Sequence, residues 1–254
     1  MSKPFVSSPW FTNLKPNREA RLRLFCFPYA GGGATIFHQW PRILPSIVQV
    51  SSVQLPGRGP RMRESPFTRL SALVGQIALA IEPHLDKPFA FFGYSLGAII
   101  AFELARCLRQ RAGVEPLRLF VAACSAPQIR ETREEIYNLP EPELLERLRR
   151  LNGTPTEVLE HSELIQLMLP RLRADFEMAE TYTYCAAPPL RSAISAFGGL
   201  QDREVKREHL EAWRDQTTGS FNMRMFEGDH FFIHQSEPLL LDVIARELHQ
   251  EERF

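Results

Sequence analysis

The sequence predicts an α/β protein with a mostly parallel central sheet and helices on both of its faces. Short, nearly continuous apolar runs alternate with longer segments in which apolar residues recur every three to four positions. The first pattern is typical of strands buried on both faces, and the second of helices that pack against such a sheet. Because 44% of the 254 residues are hydrophobic, the chain can bury a full core, and we expect a single domain over residues 1–254.

The predicted elements follow one another along the chain. Six apolar runs are predicted to be strands: LRLFCFPYA, IVQVSSVQL, PFAFFGYS, PLRLFVAACSA, RSAISAFGGL and FNMRMFEG. The first four are separated by helical patterns that include LSALVGQIALAIEPHL and LGAIIAFELARCLRQRAG. A helix near Val205 to Gln216 and a closing helix near Pro238 to Gln250 complete the prediction.

The alternation of strands and helices is interrupted between about residues 128 and 186. LPEPELLERLRRLNG and PTEVLEHSELIQLMLPRLRADFEMAETYTY both show helical patterns, with no strand between them. Their apolar stripes consist of Leu144, Leu145, Leu148 and Leu151, then Leu164, Leu167, Met168 and Leu172. These stripes must be buried, so we expect an inserted helical lid over the edge of the sheet. Two ordinary sheet-covering helices are the alternative, although a crossover in a parallel sheet is usually a single helix.

Composition disfavours several classes of partner. Thirty Lys and Arg balance thirty Asp and Glu, so no overall field attracts nucleic acid or an acidic membrane. The four cysteines form no CxxC pair and are expected to be free thiols in a reducing compartment. No apolar run reaches about 18 residues, and the amino-terminal segment lacks the apolar core of a signal peptide. We therefore expect a soluble, cytoplasmic and monomeric protein.

A serine between two glycines follows the third predicted strand. In FFGYSLGAII, Gly93 and Gly97 flank Ser95 at the spacing G-x-S-x-G, and a helix begins directly afterwards. A sharp turn from strand to helix leaves no room for side chains beside the serine and exposes its hydroxyl at the edge of the sheet. The pattern predicts a nucleophile, although a small residue tolerated in a tight turn would produce the same sequence.

A serine hydroxyl reacts well only when a base takes its proton, so this hypothesis needs a histidine downstream and an acid between the two. Of the seven histidines, His230 is the first to follow the last predicted strand, in the short loop FEGDHFFIH. Asp202 follows the preceding strand in RSAISAFGGLQD, whereas Asp229 is too close to His230 along the backbone to orient its ring. We predict His230 as the base and Asp202 as the acceptor of its Nδ1 proton.

The same reaction creates an oxyanion that needs hydrogen-bond donors. One is the backbone N–H of Leu96, directly after the nucleophile, and the other should come from the turn PYAGGGAT, where Ala30 is the expected donor by position. His230 and His234 form an H-x-x-x-H pair, but no acidic residue lies between them and no third ligand is evident. No metal site is predicted.

Five ordered segments, FCFPYAGGGATIFHQW, VQLPGRG, FFGYSLGAIIAFELAR, FGGLQD and FEGDHFFI, resemble those of the type II thioesterases associated with non-ribosomal peptide and polyketide synthases. The resemblance extends from about Leu22 to Leu248. It implies an α/β-hydrolase fold with a helical lid, without a cofactor of its own. By match to the motifs it assigns the roles given above to Ser95, Asp202, His230, Ala30 and Leu96.

The resemblance also implies a substrate and a partner. Such enzymes hydrolyse acyl thioesters from the phosphopantetheine arm of carrier domains, which clears stalled or wrongly loaded groups. In PGRGPRMR, Arg58, Arg61 and Arg63 are a candidate docking surface, because carrier domains and phosphopantetheine are acidic. An equally open alternative is that they are surface arginines, one or two of which pair with Glu64 or with the lid.

Two other functions remain open at this stage. A carboxylesterase of the same fold would use the same triad on an oxygen ester, because nothing in the triad distinguishes the two substrates. A non-catalytic binding module with this fold is the second alternative. Such proteins typically lack a member of the triad, and all three residues are present in this chain.

Overall fold

The strands predicted from the apolar runs form one parallel sheet. The computed structural model describes residues 8–12, 17, 19–129, 135–153, 156–159 and 161–251. Its strands are β1 Leu22–Phe27, β2 Val48–Ser52, β3 Phe89–Tyr94, β4 Arg118–Ala122, β5 Ala193–Gly199 and β6 Phe221–Phe226. They lie in the order β2-β1-β3-β4-β5-β6, and every neighbouring pair is parallel. The predicted α/β class is confirmed.

Helices lie between and beyond these strands. They are α1 Trp40–Ile43, α2 Leu70–Ile81, α3 Leu96–Ala112, α4 Glu141–Leu151, α5 Thr156–Leu159, α6 Ser162–Glu180, α7 Arg207–Glu211, α8 Phe232–Gln235 and α9 Glu237–Glu251. Short 3-10 helices occur at Ala34–Phe37, Gly59–Arg61, Glu82–His84 and Ala212–Gln216. Among the described residues, none of the helices combines the length and the apolar character needed to cross a bilayer.

Alternate side chains of β1 enter apolar clusters on opposite faces of the sheet. Phe25 and Phe27 pack with buried residues of α2 and α3, whereas Leu24 and Cys26 pack with Trp40 of α1 and with the apolar face of α9. Because both faces are covered, the strand is buried along its whole length. This explains why β1 reads as a continuous apolar run rather than as an alternating one.

Helices α4, α5 and α6, here called the helical insertion, connect β4 to β5. They fall within the predicted range 128–186, of which residues 130–134, 154–155 and 160 lie outside the described residues. The insertion has an apolar cluster of its own, separate from the two clusters on the sheet. Its buried members are Ile136, Leu144, Leu148, Leu159, Ile165, Leu169 and Leu172. The expected stripe of α6 is wrong at Leu164 and Leu167, which are 42% and 54% exposed, whereas Leu172 is buried in this cluster and Met168 packs against it.

The strand order creates a crevice between β1 and β3. From β1 the chain proceeds to β2 on one side, and it later places β3 on the other side of β1. At such a reversal the connections leave the carboxyl ends of two neighbouring strands in opposite directions, which opens a crevice where ligands bind in α/β proteins. The turns that follow β1 and β3 contain Ala30 and Ser95.

Candidate active site

Ser95 lies at a sharp turn between β3 and α3. Its backbone has φ 52° and ψ −118°, a conformation that residues other than glycine rarely adopt. Its N–H donates to the Ala122 carbonyl at 2.8 Å. A Cβ added to Gly93 would lie 2.3 Å from the Gly97 carbonyl oxygen, and one added to Gly97 would lie 2.2 Å from the carbonyl oxygen of Phe27. Both glycines are therefore required for this turn.

The His230 ring lies between Ser95 and Asp202. Its Nε2 is 3.2 Å from Ser95 Oγ, and its Nδ1 is 3.0 Å from Asp202 Oδ2. A carboxylate at Nδ1 keeps the proton on that nitrogen, which leaves Nε2 free to accept the serine proton. The His230 side chain is 14% exposed and that of Asp202 is fully buried. The structure thus brings together three residues that are far apart in the sequence.

Backbone amides hold the Asp202 carboxylate in place. Its Oδ1 accepts the N–H groups of Glu204 at 2.8 Å and Val205 at 3.1 Å, while Oδ2 faces His230. A buried carboxylate is costly unless its oxygens have donors. These partners satisfy it and fix its orientation towards the imidazole.

The loops that carry Asp202 and His230 are joined to each other. The N–H of Gly228 donates to Gln201 Oε1 at 2.6 Å, and the N–H of Gln201 donates to the Gly228 carbonyl at 2.9 Å. A Cβ added to Gly199 would lie 2.3 Å from the Asp229 carbonyl oxygen. The loops after β5 and β6 therefore hold Asp202 and His230 at a fixed distance from each other.

Tyr94, the last residue of β3, is hydrogen-bonded to the loop that carries His230. Its hydroxyl donates to the His230 carbonyl at 2.6 Å and accepts the N–H of Ile233 at 3.3 Å. Burial raises the pKa of Tyr94 well above its ordinary value, so the hydroxyl remains a donor. Sequence reasoning missed this role. A phenol directly before the nucleophile, at the end of a buried strand, is a signal that could have revealed it.

Ala30 and Leu96 line the same cavity as Ser95 and His230. The cavity has a volume of about 760 Å³, within the usual range for small-molecule sites. The helical insertion supplies much of its wall, with residues that include Leu148, Leu151, Leu172, Phe176, Ala179 and Glu180. The arrangement offers a mostly apolar cavity beside the predicted nucleophile, the predicted base and the two residues whose amides are the candidate oxyanion donors.

The insertion also contacts the loops that carry the candidate catalytic groups. These contacts join Arg147 to Glu204 at 3.3 Å, Asn152 to Asp229 at 3.0 Å, and Asp175 to the N–H of Gly31 at 2.7 Å. Each pair connects the insertion, at a helix or at the end of one, to the loop that follows β5, β6 or β1. The insertion therefore touches the site at three separate places.

The three candidate docking arginines do not form an exposed patch. Arg58 is 3% exposed and pairs with Asp175 of α6, and Arg61 is 6% exposed and pairs with Glu64 at 2.6 Å. Arg61 also lies over the Trp10 ring at 3.9 Å. Arg63 alone of the three is exposed. A buried, paired guanidinium cannot contact a partner, so the docking role is corrected for Arg58 and Arg61.

The structure also places the second histidine of the H-x-x-x-H pair. His234 Nε2 lies 3.0 Å from the Tyr29 hydroxyl, on the exposed side of α8. Within the described ranges, no group of three His, Cys, Asp or Glu side chains has an arrangement that could hold a metal ion. His234 is thus a neighbour of the site through Tyr29, which lines the cavity.

Comparisons with known proteins agree on one family. A model described as the thioesterase domain matches residues 22–251. The gramicidin S biosynthesis protein GrsT of Aneurinibacillus migulanus is 45% identical over 246 residues, which cover 96% of each protein. The type II thioesterase BorB, from the borrelidin biosynthetic cluster, superposes with a TM-score of 0.86 at 33% identity, over 96% of this chain and 98% of that one. RedJ, from the prodiginine pathway of Streptomyces coelicolor, gives 0.86 at 38% identity, over 96% and 91%.

The fold that these proteins share with the chain is that of the α/β-hydrolases. The chain belongs to the thioesterase family, and within it to the type II thioesterases of non-ribosomal peptide and polyketide synthase systems. It is a thioester hydrolase, so the alternative of a non-catalytic binding module is set aside.

Proposed function

We propose that this thioesterase hydrolyses acyl thioesters from the phosphopantetheine arm of carrier domains, through a Ser95, His230 and Asp202 triad and an acyl-serine intermediate. The position of the His230 ring carries this proposal, because its two nitrogens lie 3.2 Å from Ser95 Oγ and 3.0 Å from Asp202 Oδ2. This geometry suits a base that accepts a proton on one side while a carboxylate stabilises it on the other.

In the first half-reaction, Ser95 Oγ attacks the thioester carbonyl carbon while His230 Nε2 takes the hydroxyl proton. The charge that develops on the carbonyl oxygen is stabilised by the N–H groups of Ala30 and Leu96. When the C–S bond breaks, the thiol takes the proton from His230 and leaves, and the acyl group stays on Ser95. A thiol has a pKa of about 8.5 and leaves more readily than an alkoxide, so acid assistance matters less than for an oxygen ester.

In the second half-reaction, water takes the place of the thiol. His230 Nε2 removes a proton as the water oxygen attacks the ester carbonyl, and the same two amides stabilise the oxyanion. Collapse of the intermediate returns the proton to Ser95 Oγ and releases the acid. His230 thus acts as the base in both half-reactions.

The proposal includes a role for the helical insertion. We assign it as a lid, within a single domain over residues 1–254, because it lines the cavity and has its own apolar cluster. The expected partners are acyl- or peptidyl-carrier domains, which bring the pantetheine arm, and the enzyme is expected to work in the cytoplasm as a monomer without a cofactor. From its membership of the type II thioesterases, we propose that it edits misloaded or stalled acyl groups.

The test is release of acyl groups from a carrier protein, followed by intact-mass spectrometry. Replacing Ser95 with Ala should lower the rate of release by roughly 10⁴-fold or more, since the nucleophile is lost. Ser220→Ala, which removes an exposed serine ahead of β6, is the matched control and should retain full activity.

Two results would contradict the proposal. Release by Ser95→Ala at the wild-type rate would refute the mechanism. Faster turnover of an oxygen ester than of the matched thioester would instead favour the carboxylesterase alternative.

A further inference from the structure

We propose that Asp175 and Arg58 are positioning residues for the oxyanion hole, and that α6 of the insertion thereby forms part of the catalytic support rather than only a cover. The inference rests on the proposed function, in which the N–H of Ala30 is one of the two oxyanion donors. It assigns a role to an ion pair that the triad does not use.

The two side chains hold the turn after β1 on both sides of its Gly31–Gly32 peptide unit. Asp175 Oδ2 accepts the N–H of Gly31 at 2.7 Å. Arg58 Nη1 donates to the Gly32 carbonyl at 2.7 Å. Gly31 follows Ala30 directly, so these two hydrogen bonds fix the backbone from which the Ala30 N–H projects.

The side chains of this ion pair are themselves held in a fixed geometry by hydrogen bonds. Arg58 donates to both carboxylate oxygens of Asp175, at 2.8 and 2.7 Å, and its Nε donates to the Pro56 carbonyl at 3.3 Å. The side chains are 4% and 0% exposed. In such surroundings the two-pronged geometry leaves neither partner free to rotate.

Stability alone is a weak reason for this pair. Desolvation of two charges offsets much of their attraction, and apolar residues of similar volume often serve a core equally well. A third charge, on Arg171, lies near the pair, and burial followed by the charge of Arg58 lowers the pKa of its guanidinium. The hydrogen bonds from Asp175 and Arg58 to the turn after β1 are a better explanation for these charges than stability is.

An apolar contact from the same helix supports the turn as well. Gly31 has φ +77°, and a Cβ added to it would lie 2.5 Å from Leu172 Cδ2. Leu172 lies one turn before Asp175 on α6 and lines the cavity. Helix α6 therefore fixes the turn through one apolar side chain and one carboxylate. The position of α6 relative to the turn after β1 therefore determines the direction in which the Ala30 N–H points.

The experiment compares Asp175→Asn with the wild-type enzyme on an acyl-pantetheine thioester. Asparagine keeps the volume and can accept from Gly31, but it cannot form the charged, two-pronged pair with Arg58. A displaced oxyanion donor should lower kcat about 10- to 100-fold while KM changes by less than about threefold. Arg58→Lys keeps the charge without the fork and should lower kcat in the same direction.

Binding of two analogues separates positioning from a general structural effect. An acyl-pantetheine trifluoromethyl ketone forms a tetrahedral oxyanion on Ser95, so its inhibition constant should rise by the same factor as kcat/KM falls. The matching thioether, which lacks the carbonyl at the reacting position, should bind to both proteins equally. Equal weakening of both analogues would overturn the proposal.

A matched control lies on the same helix. Glu177 of α6 pairs with Arg69 at 2.5 Å, away from the turn, so Glu177→Gln removes an ion pair of the insertion without touching Gly31 or Gly32. It should leave kcat at the wild-type value. A loss of kcat equal to that of Asp175→Asn would show that only the anchoring of α6 matters.

If the single variants do not fold, a double variant separates the effect on stability from the effect on kcat. Asp175→Leu combined with Arg58→Met removes both buried charges and should restore the unfolding temperature, but kcat should stay low because nothing holds the Gly31 N–H. Recovery of kcat together with stability would overturn the positioning role.

Labelling of wild-type Ser95 by a fluorophosphonate is measured first. Absence of labelling refutes the proposed function and this inference together. Labelling with unchanged kinetics in Asp175→Asn refutes the inference alone.

Discussion

Ser95 holds a backbone conformation that costs of order 1–3 kcal/mol in a residue other than glycine. The surrounding backbone stabilises it there, since Ala122 accepts its N–H and Gly93 and Gly97 allow neighbouring strands and helix to approach within distances that any side chain would prevent. The position of Ser95, the proposed nucleophile, is therefore fixed mainly by main-chain atoms.

Gly97→Ala tests this dependence. The added Cβ would lie 2.2 Å and 2.7 Å from the carbonyl oxygens of Phe27 and Pro28, so the start of α3 must shift away from β1. We expect kcat/KM to fall by about 10²-fold or more and the free energy of unfolding to fall by about 1–3 kcal/mol. Thioesterase assays and urea titrations measure the two effects.

Gly75→Ala is the control for that substitution. Gly75 lies inside α2, and nothing lies within 4 Å of its added Cβ. This variant should keep full activity and gain about 0.5–1 kcal/mol of stability. Wild-type activity in Gly97→Ala would show that the close approach of α3 to β1 is not needed.

At the scale of elements, strand and helix types could be predicted from periodicity, but contacts between distant elements could not. Arg58 and Asp175 are 117 positions apart, and no local pattern indicates that they pair. One signal was available, because Asp175 falls on the face of α6 that carries Leu169 and Leu172, where an unpaired charge would be costly. A charge on an apolar face predicts a buried partner, although it does not identify which one.

The phase of α6 was equally beyond local patterns. Apolar residues occur on two sides of the helix, so Leu164 and Leu167 are spaced as regularly as Ile165 and Leu169, and Leu172 belongs both to the expected stripe and to the buried face. Packing against Leu144 and Leu148 of α4 decides between the two. That contact is tertiary and leaves no mark on the sequence of α6 alone.

Paired substitutions on α6 measure this phase. Ile165 is 2% exposed within the cluster of the insertion, so Ile165→Ala should lower the free energy of unfolding by about 2–4 kcal/mol. Leu164→Ala, at the adjacent exposed position, should change it by less than about 0.5 kcal/mol. Urea denaturation compares the two, and the reverse order of the losses would favour the stripe expected from the sequence.

At the scale of the whole molecule, the topology explains why the site residues could be chosen from their order along the chain. All six strands that the structure describes are parallel, so the segments after β1, β3, β5 and β6 emerge at one edge of the sheet. Ala30, Ser95, Asp202 and His230 each follow one of these strands. The distances between them, by contrast, depend on Tyr94 and on the contacts between loops.

The pH dependence of stability should report a buried histidine far from this edge. His84 is 7% exposed, its Nε2 is a buried atom without a partner among the described residues, and its ring contacts Phe11. Burial, and then the charge of Arg23, lower its pKa below the ordinary value of about 6.5, although Asp86 acts in the opposite direction. The unfolded chain therefore binds a proton more readily than the folded protein does.

The sign follows from this difference. The free energy of unfolding should be highest above the unfolded pKa of about 6.5 and should fall as the pH decreases towards the lowered pKa of the folded protein. His84→Phe keeps the aromatic contact and removes the titrating group. Its urea unfolding free energy should fall less steeply between about pH 7.5 and pH 5 than that of the wild type. Parallel curves for the two proteins would rule out this origin.

The pairing of Asp175 with Arg58 also limits how the enzyme can be recombined with its relatives. The insertion has the features of a unit that could be exchanged between relatives, because it is continuous in sequence and has its own apolar cluster. Yet one of its carboxylates completes a turn that belongs to the scaffold. A chimera that exchanges α4 to α6 for another acyl preference therefore has to retain a carboxylate at 175 and an arginine at 58, so that new specificity does not come at the expense of turnover.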